Sequence, residues 1–161
     1  MNRKVIGIGE TILDILFRDD QPQAAVPGGS VYNAMISLGR MGVDVTFISE
    51  TGNDRVGRII LENMRNNGVR TDCVNVFPDG KSPVSLAFLN ERNDAEYLFY
   101  KDYPHQRLEV KMPDIQPDDI VMIGSYFAVT PVLRDKVKGL LELARERGAI
   151  IYYDVNFRST H

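Results

Sequence analysis

Cysteine, histidine and tryptophan are nearly missing from this sequence, at one, two and none in 161 residues. The lone Cys73 cannot build an internal disulfide framework, and His105 and His161 stand too far from it and from each other for a metal site or a catalytic dyad. Such sparing use of cysteine fits a reducing, cytoplasmic setting. No apolar run reaches membrane-spanning length, and the opening Met1 to Ile8 is cut off by Gly9-Glu10 before a signal-peptide core develops. No membrane partner is therefore expected. Blocks of like charge are also lacking: 19 basic and 22 acidic residues are scattered along the chain for a net charge of -3. Nothing there can track a phosphate backbone, which excludes nucleic acid as a partner. Internal repeats and low-complexity segments are absent too.

What remains is an ordinary globular composition, 43% hydrophobic and 25% charged, enough for one domain with a sizeable core. Val5-Ile6-Gly7-Ile8-Gly9 reads as a buried strand, and Ile12 to Phe17 as a second β segment in which Asp14 interrupts an apolar face. Behind Gly28-Gly29-Ser30, the helical spacing of Val31, Ala34, Met35 and Leu38 predicts a helix that stops near Gly42. Val45 to Ile48 predicts a strand, and Val56, Ile59, Ile60 and Met64 a helix ending near Gly68. This alternation implies parallel pairing in an α/β sheet. It is broken by a hairpin, Val84 to Leu89 and Tyr97 to Tyr100, which is expected to form a small sheet with the Ile12 to Phe17 segment. Regular order resumes with a strand at Ile120 to Ile123 and a helix with Thr130 as N-cap and Pro131 at its first position. The buried face of that helix is Leu133, Val137, Leu140, Leu141 and Ala144. The final strand begins buried at Ile150 and ends with Asp154, Asn156 and Arg158 at alternate positions.

Several of these residues can carry chemistry, and each also has a plainer reading. Gly28 and Gly29 before a helix let a ligand approach backbone N–H groups, with the Asn33 amide in the same first turn; equally, they can form a simple turn ahead of a solvated Asn33. Asp14 must either face a polar cleft, where a carboxylate accepts sugar-like hydroxyls, or sit on an edge strand pointing to water. Asp154, Asn156 and Arg158 stand where open α/β sheets place ligands, although a turn cap beside a solvated arginine gives the same residues. Tyr97, Phe99, Tyr100 and Tyr103 offer faces to a sugar ring or are packing, and Lys101 beside them can reach a substrate oxygen. The run Gly7-Ile8-Gly9-Glu10-Thr11-Ile12 begins like a dinucleotide fingerprint, but Ile12 replaces its third glycine and no helix opens there.

Gly28-Gly29-Ser30-Val31-Tyr32-Asn33-Ala34, then Gly39, Gly42, Thr51-Gly52-Asn53-Asp54 and Gly57, resembles the N-terminal signature of the ribokinase-like (PfkB) carbohydrate kinases. Gly7-Ile8-Gly9-Glu10, Phe99-Tyr100-Lys101, Ile123-Gly124-Ser125 and Asp154-Val155-Asn156-Phe157-Arg158 extend the likeness along the whole chain. The resemblance implies a Rossmann-like three-layer α/β/α core over residues 1–161 with a small β-sheet lid built from segments 11–27 and 83–102. It implies a sugar site made of Asp14 on the lid with Gly28, Gly29 and Asn33 on the core. Tyr100 and Lys101 would join that site, and Asp154, Asn156 and Arg158 would lie near the substrate or phosphates. ATP, Mg²⁺ and a small-molecule sugar are the implied ligands, and a homodimer through the lid the implied assembly.

Asp-x-Asn-x-Arg and Phe-Tyr-Lys look most like fructokinases and 2-keto-3-deoxygluconate kinases, which commonly have arginine where Lys101 stands. The family's glycine-rich anion hole and catalytic aspartate normally follow the point reached at His161. The expectation is thus the sugar-binding half of a phosphotransferase, inactive alone, or a non-catalytic sugar-binding module if these residues are the complete protein.

Overall fold

A computed structural model describes residues 3–92 and 94–156. Strand β1 (Val5–Ile8) leads into β2 (Ile12–Arg18) and β3 (Gln21–Gly28), after which helix α1 (Ser30–Arg40) opens. Next come β4 (Val45–Gly52), α2 (Arg55–Asn66), the short β5 (Val69–Arg70) and β6 (Val74–Phe77), and the pair β7 (Lys81–Leu89) and β8 (Ala95–Asp102). The chain then passes through β9 (Ile120–Gly124), two 3₁₀ turns, α3 (Arg134–Glu146) and β10 (Ile150–Asp154).

Among the described residues the main sheet runs β10-β9-β1-β4-β5, with β6 also on β4, and its pairs are parallel. Alternation along the strands explains the layers. Val5, Val45 and Phe47 pack against Val31, Tyr32 and Met35 of α1 and Ile60 and Met64 of α2. Ile6, Ile8, Ile48, Val121 and Ile123 face the other way, onto Leu133, Val137 and Ala144 and onto Leu108 and Ile115 of the β8–β9 connection. Each fully buried side chain of this kind contributes roughly 1.5–3 kcal/mol. The result is a three-layer α/β/α core whose strand order reverses beside β1, with β4 on one side and β9 on the other.

The two β insertions form one mixed sheet of four strands in the order β3-β2-β7-β8. β2 runs antiparallel to β3 and parallel to β7, and β7 is antiparallel to β8. The segment 11–27 belongs to the small sheet as expected, but β3 within it was not foreseen as a separate strand, and it carries Pro22 and Pro27. Both are tolerated here because β3 is an edge strand that pairs only with β2.

Thr130 stands at the N-cap position with Pro131 first, as expected, but the opening turn Pro131–Leu133 is 3₁₀ and α3 follows from Arg134. The Thr130 hydroxyl makes no capping bond and donates instead to the Tyr126 carbonyl at 2.9 Å. Two further expectations are corrected. Leu140 and Leu141 are only half-buried, so the dry stripe of α3 narrows to Val137 and Ala144. Among the described residues β10 pairs only with β9 and is not buried, with Ile150, Ile151, Tyr152 and Tyr153 between 39% and 56% exposed.

Candidate functional site

Buried hydroxyls fix the carboxyl ends of the central strands: Ser49 Oγ donates to the Gly9 carbonyl at 2.7 Å and Thr11 Oγ1 to the Glu50 carbonyl at 2.9 Å. The chain leaves β1 there through Glu10 and returns along β3 to Gly28-Gly29. Gly29 has φ +128, and a Cβ on it would lie 2.3 Å from the Glu10 carbonyl oxygen. Only glycine fits both the conformation and the space. A Cβ on Gly28 would lie 2.7 Å from Asp14 Oδ2. The glycine pair is therefore pressed against the β1–β2 junction, with Asp14 directly beside it.

Helix α1 opens at this point without a side-chain cap. The Asn33 N–H is already bonded to the Gly29 carbonyl at 2.9 Å, and the Asn33 side chain is exposed.

Asp14 lies on an interior strand, between β3 and β7, so the edge-strand reading does not hold. Its neighbour in register, Ser85, donates its hydroxyl to Asp14 Oδ1. Burial pushes the Asp14 carboxyl above its ordinary value, the Ser85 hydrogen bond offsets part of that rise, and the nearby Glu10 charge adds to it. The half-buried acid has one oxygen fixed by Ser85 and the other beside Gly28, an arrangement suited to accepting from ligand hydroxyls.

Register separates the β8 residues. Ser85 pairs with Phe99 and Val84 with Tyr100, so Phe99 shares a face with Asp14 while Tyr100 stands on the opposite face with Leu13. Lys101 returns to the Asp14 face. Its ammonium lies 5.1 Å from the Phe99 ring centroid and 2.7 Å from Glu10 Oε1. The Tyr97 and Phe99 rings stack at 5.7 Å on that same face.

Glu10 is held a second time by the Tyr103 hydroxyl, which donates to Oε1 at 2.7 Å. Burial, with the Glu10 carboxylate beside it, holds the Tyr103 phenol far above its usual range, so it keeps its proton. The Arg107 guanidinium stacks on the Tyr103 ring at 3.4 Å and pairs with Glu50, whose Oε2 also accepts from the Leu108 N–H at 2.8 Å. Sequence reasoning missed the roles of Glu10, Ser85, Tyr103, Arg107 and Glu50. The one signal available was Glu50 closing an otherwise uncharged buried strand.

At the end of β10 the Asp154 carbonyl accepts from Ser125 N at 2.9 Å, and Asp154 Oδ1 accepts from Asn156 N at 3.0 Å. Asn156 adopts φ +38. A Cβ on Gly124 would lie 2.8 Å from the Asp154 carbonyl and 3.0 Å from Val31 Cγ2, so this strand end abuts the first turn of α1. Asp154 and Asn156 thus share the carboxyl edge of the sheet with Gly28 and Gly29. Arg158 lies outside the described residues. A cleft of about 680 Å³ opens at the other end of the sheet, lined by Arg3, Lys4, Asp44 and Gln116 to Asp119. Its most buried carboxylate, Asp119, is taken up by the N–H groups of Lys4 and Gln116. The site is therefore placed by convergence of polar groups rather than by cavity size.

A parallel α/β/α core with a small sheet set over the carboxyl ends of its strands is the architecture of ribokinase-like sugar kinases. An uncharacterized sugar kinase from Pyrococcus horikoshii, solved in complex with ATP, superimposes with a TM-score of 0.80 at 22% identity, covering 96% of this chain and 53% of that one. The chain belongs to the pfkB family of carbohydrate kinases, whose model matches residues 3–161. It is 28% identical to fructokinase-1 of Oryza sativa subsp. japonica, over 96% of this chain and 51% of that protein. It is 32% identical to 5-dehydro-2-deoxygluconokinase of Geobacillus thermodenitrificans, over 81% of this chain and 40% of that protein. The chain spans about half the length of the relatives it matches.

Proposed function

We propose that these residues form the sugar-binding half of an ATP-dependent kinase that phosphorylates a hydroxyl of a fructose-like sugar. The observation that carries this reading is Asp14, fixed by Ser85 on an interior strand of the small sheet and set against Gly28. There the carboxylate accepts from sugar hydroxyls, while Gly29 and Asn33 at the opening of α1 bound the sugar from the core. Phe99 supplies an apolar face for the ring, and Lys101 and Glu10 complete the rim.

ATP supplies the phosphoryl group when bound. Of this chain's residues, Asp154 and Asn156 at the β10 end, together with Arg158, are proposed to lie near it. Asp154 already accepts two backbone N–H groups, and the described residues include no cluster of three or more His, Cys, Asp or Glu able to hold a metal. Mg²⁺ is proposed to arrive with ATP rather than to be held by these side chains. Their contribution to phosphoryl transfer is positioning of the acceptor hydroxyl.

The face of the small sheet opposite Asp14 carries Ile15, Phe17, Leu86, Phe88, Leu98 and Tyr100, with Leu98 45% and Tyr100 59% exposed. Such a patch supports a homodimer through this sheet. The single half-buried thiol of Cys73 is in keeping with a reducing, cytoplasmic location. Of the two relatives, one is named for a neutral sugar and the other for a sugar acid.

The activity is tested by ADP release from ATP on D-fructose by the intact protein. Asp14→Ala is expected to lower kcat/KM by about 100-fold, the order of one or two lost charge-assisted hydrogen bonds. An Asp14→Ala protein as active as the parent would refute the assignment.

A further inference from the structure

Resting on the sugar-binding reading above, we infer that the Glu10–Lys101 ion pair makes the pocket select an uncharged polyhydroxylated sugar over a sugar acid, with Glu10 as the specificity-determining residue. A cation favours a ligand carboxylate most when its charge is not already neutralised by a neighbouring acid. Lys101 is the cation beside Phe99 on the Asp14 face of the small sheet, and its ammonium is 2.7 Å from Glu10 Oε1. The pair is largely withdrawn from water, with 29% of the lysine and 24% of the glutamate side chain exposed.

Glu10 is not free to swing away and release the lysine. The Tyr103 hydroxyl donates to the same carboxylate oxygen at 2.7 Å, and the Tyr103 ring lies under the Arg107 guanidinium at 3.4 Å. Arg107 in turn is paired with Glu50, which is only 2% exposed. The ion pair is thus tied through two side chains to the core strand β4, whereas a surface pair would exchange freely with solvent.

Charge arithmetic points the same way. Asp14 and Glu10 interact electrostatically, so within the cluster of Asp14, Glu10 and Lys101 two carboxylates stand against one ammonium. A ligand carboxylate entering there meets net repulsion, while neutral hydroxyls find acceptors on both acids and the remaining N–H groups of Lys101 as donors.

The test is calorimetric titration of the intact protein with D-fructose and with 2-keto-3-deoxygluconate. The parent is expected to bind fructose at least about tenfold more tightly, and Glu10→Gln, by releasing Lys101, to shrink that preference by about tenfold. Adding Lys101→Met to Glu10→Gln is expected to abolish the gained acid binding. A parent that binds the acid as tightly as fructose, or a Glu10→Gln protein with an unchanged ratio, overturns the inference while leaving the sugar-binding reading in place. Failure to bind either sugar overturns both. A measurement on the parent alone is independent of how the variants fold: if the pocket repels anions, affinity for the acid rises as NaCl screens the repulsion, and a fall with NaCl contradicts the inference.

Discussion

Ser85 Oγ on β7 donates to Asp14 Oδ1 on the neighbouring strand β2, so the acid that faces the glycine pair is aimed by a hydroxyl from the adjacent strand. This one contact explains how a carboxylate is kept in the interior of a small sheet. Half its acceptor capacity is satisfied within the protein, and the other oxygen is turned toward Gly28.

Burial raises the folded-state affinity of Asp14 for a proton above the ordinary aspartate value of 3.8. The native state therefore binds more protons than the unfolded chain, and this residue's contribution falls as pH rises from 3.8 through the raised folded value. Asp14→Asn is expected to melt at or above the parent's temperature at neutral pH, with the gain vanishing below the ordinary aspartate range. Thermal unfolding across pH 3 to 7 checks this, by the same linkage.

Asp54 has the opposite sign. Burial alone would raise its carboxyl, but hydrogen bonds from the Ser82 and Gly57 N–H groups and the Ser82 hydroxyl outweigh that and hold it below the ordinary value of 3.8. Its contribution is present above 3.8 and is lost as pH falls through the lower folded value. Asp54 is the N-cap of α2, its carboxylate accepting from the Gly57 N–H, so Asp54→Ala is expected to cost about 1–2 kcal/mol at neutral pH. The difference from the parent should close on acidification, measured by urea unfolding at a series of pH values.

Glu50 is 2% exposed and bonded to Arg107 and to the Leu108 N–H. Removing it leaves a guanidinium largely buried without its anion, so Glu50→Ala is expected to cost about 3–5 kcal/mol. The double replacement Glu50→Leu with Arg107→Met removes both charges and is expected to recover a large part of that loss. A double-mutant cycle by chemical denaturation measures the coupling.

Gly29→Ala would place a Cβ 2.3 Å from the Glu10 carbonyl at φ +128. The backbone must give way at the start of α1, at a cost of about 2 kcal/mol or more. Gly42→Ala has a positive φ of +81 but open space around it, so it is expected to cost less. Comparing the two melting temperatures separates conformational strain from steric exclusion.

Much of the core was legible because its signals are local. Gly28-Gly29 ahead of helical spacing marks α1, and the apolar runs at Val5, Val45 and Ile120 mark three central strands. β3 was legible only as part of the lid segment 11–27, and its prolines are tolerated by an edge position that topology decides. β10 misled in the other direction, since an apolar run says that a strand seeks cover and not whether cover is present. At the site, Asp14 was legible as a charge on an apolar face. Its aiming by Ser85 and the chain from Lys101 through Glu10, Tyr103 and Arg107 to Glu50 depend on contacts between residues tens of positions apart, and pairing register alone decides that Phe99 and Lys101, rather than Tyr100, share the face of Asp14.

The measurement that tests the central claim most directly is an amide NMR titration of the protein with D-fructose, run in parallel on Asp14→Ala. The account predicts saturable shifts centred on Asp14, Gly29, Asn33 and Phe99 in the parent and their loss in the variant. Shifts that do not saturate, that gather at the Lys4 and Asp119 end of the sheet, or that persist unchanged in Asp14→Ala would contradict it.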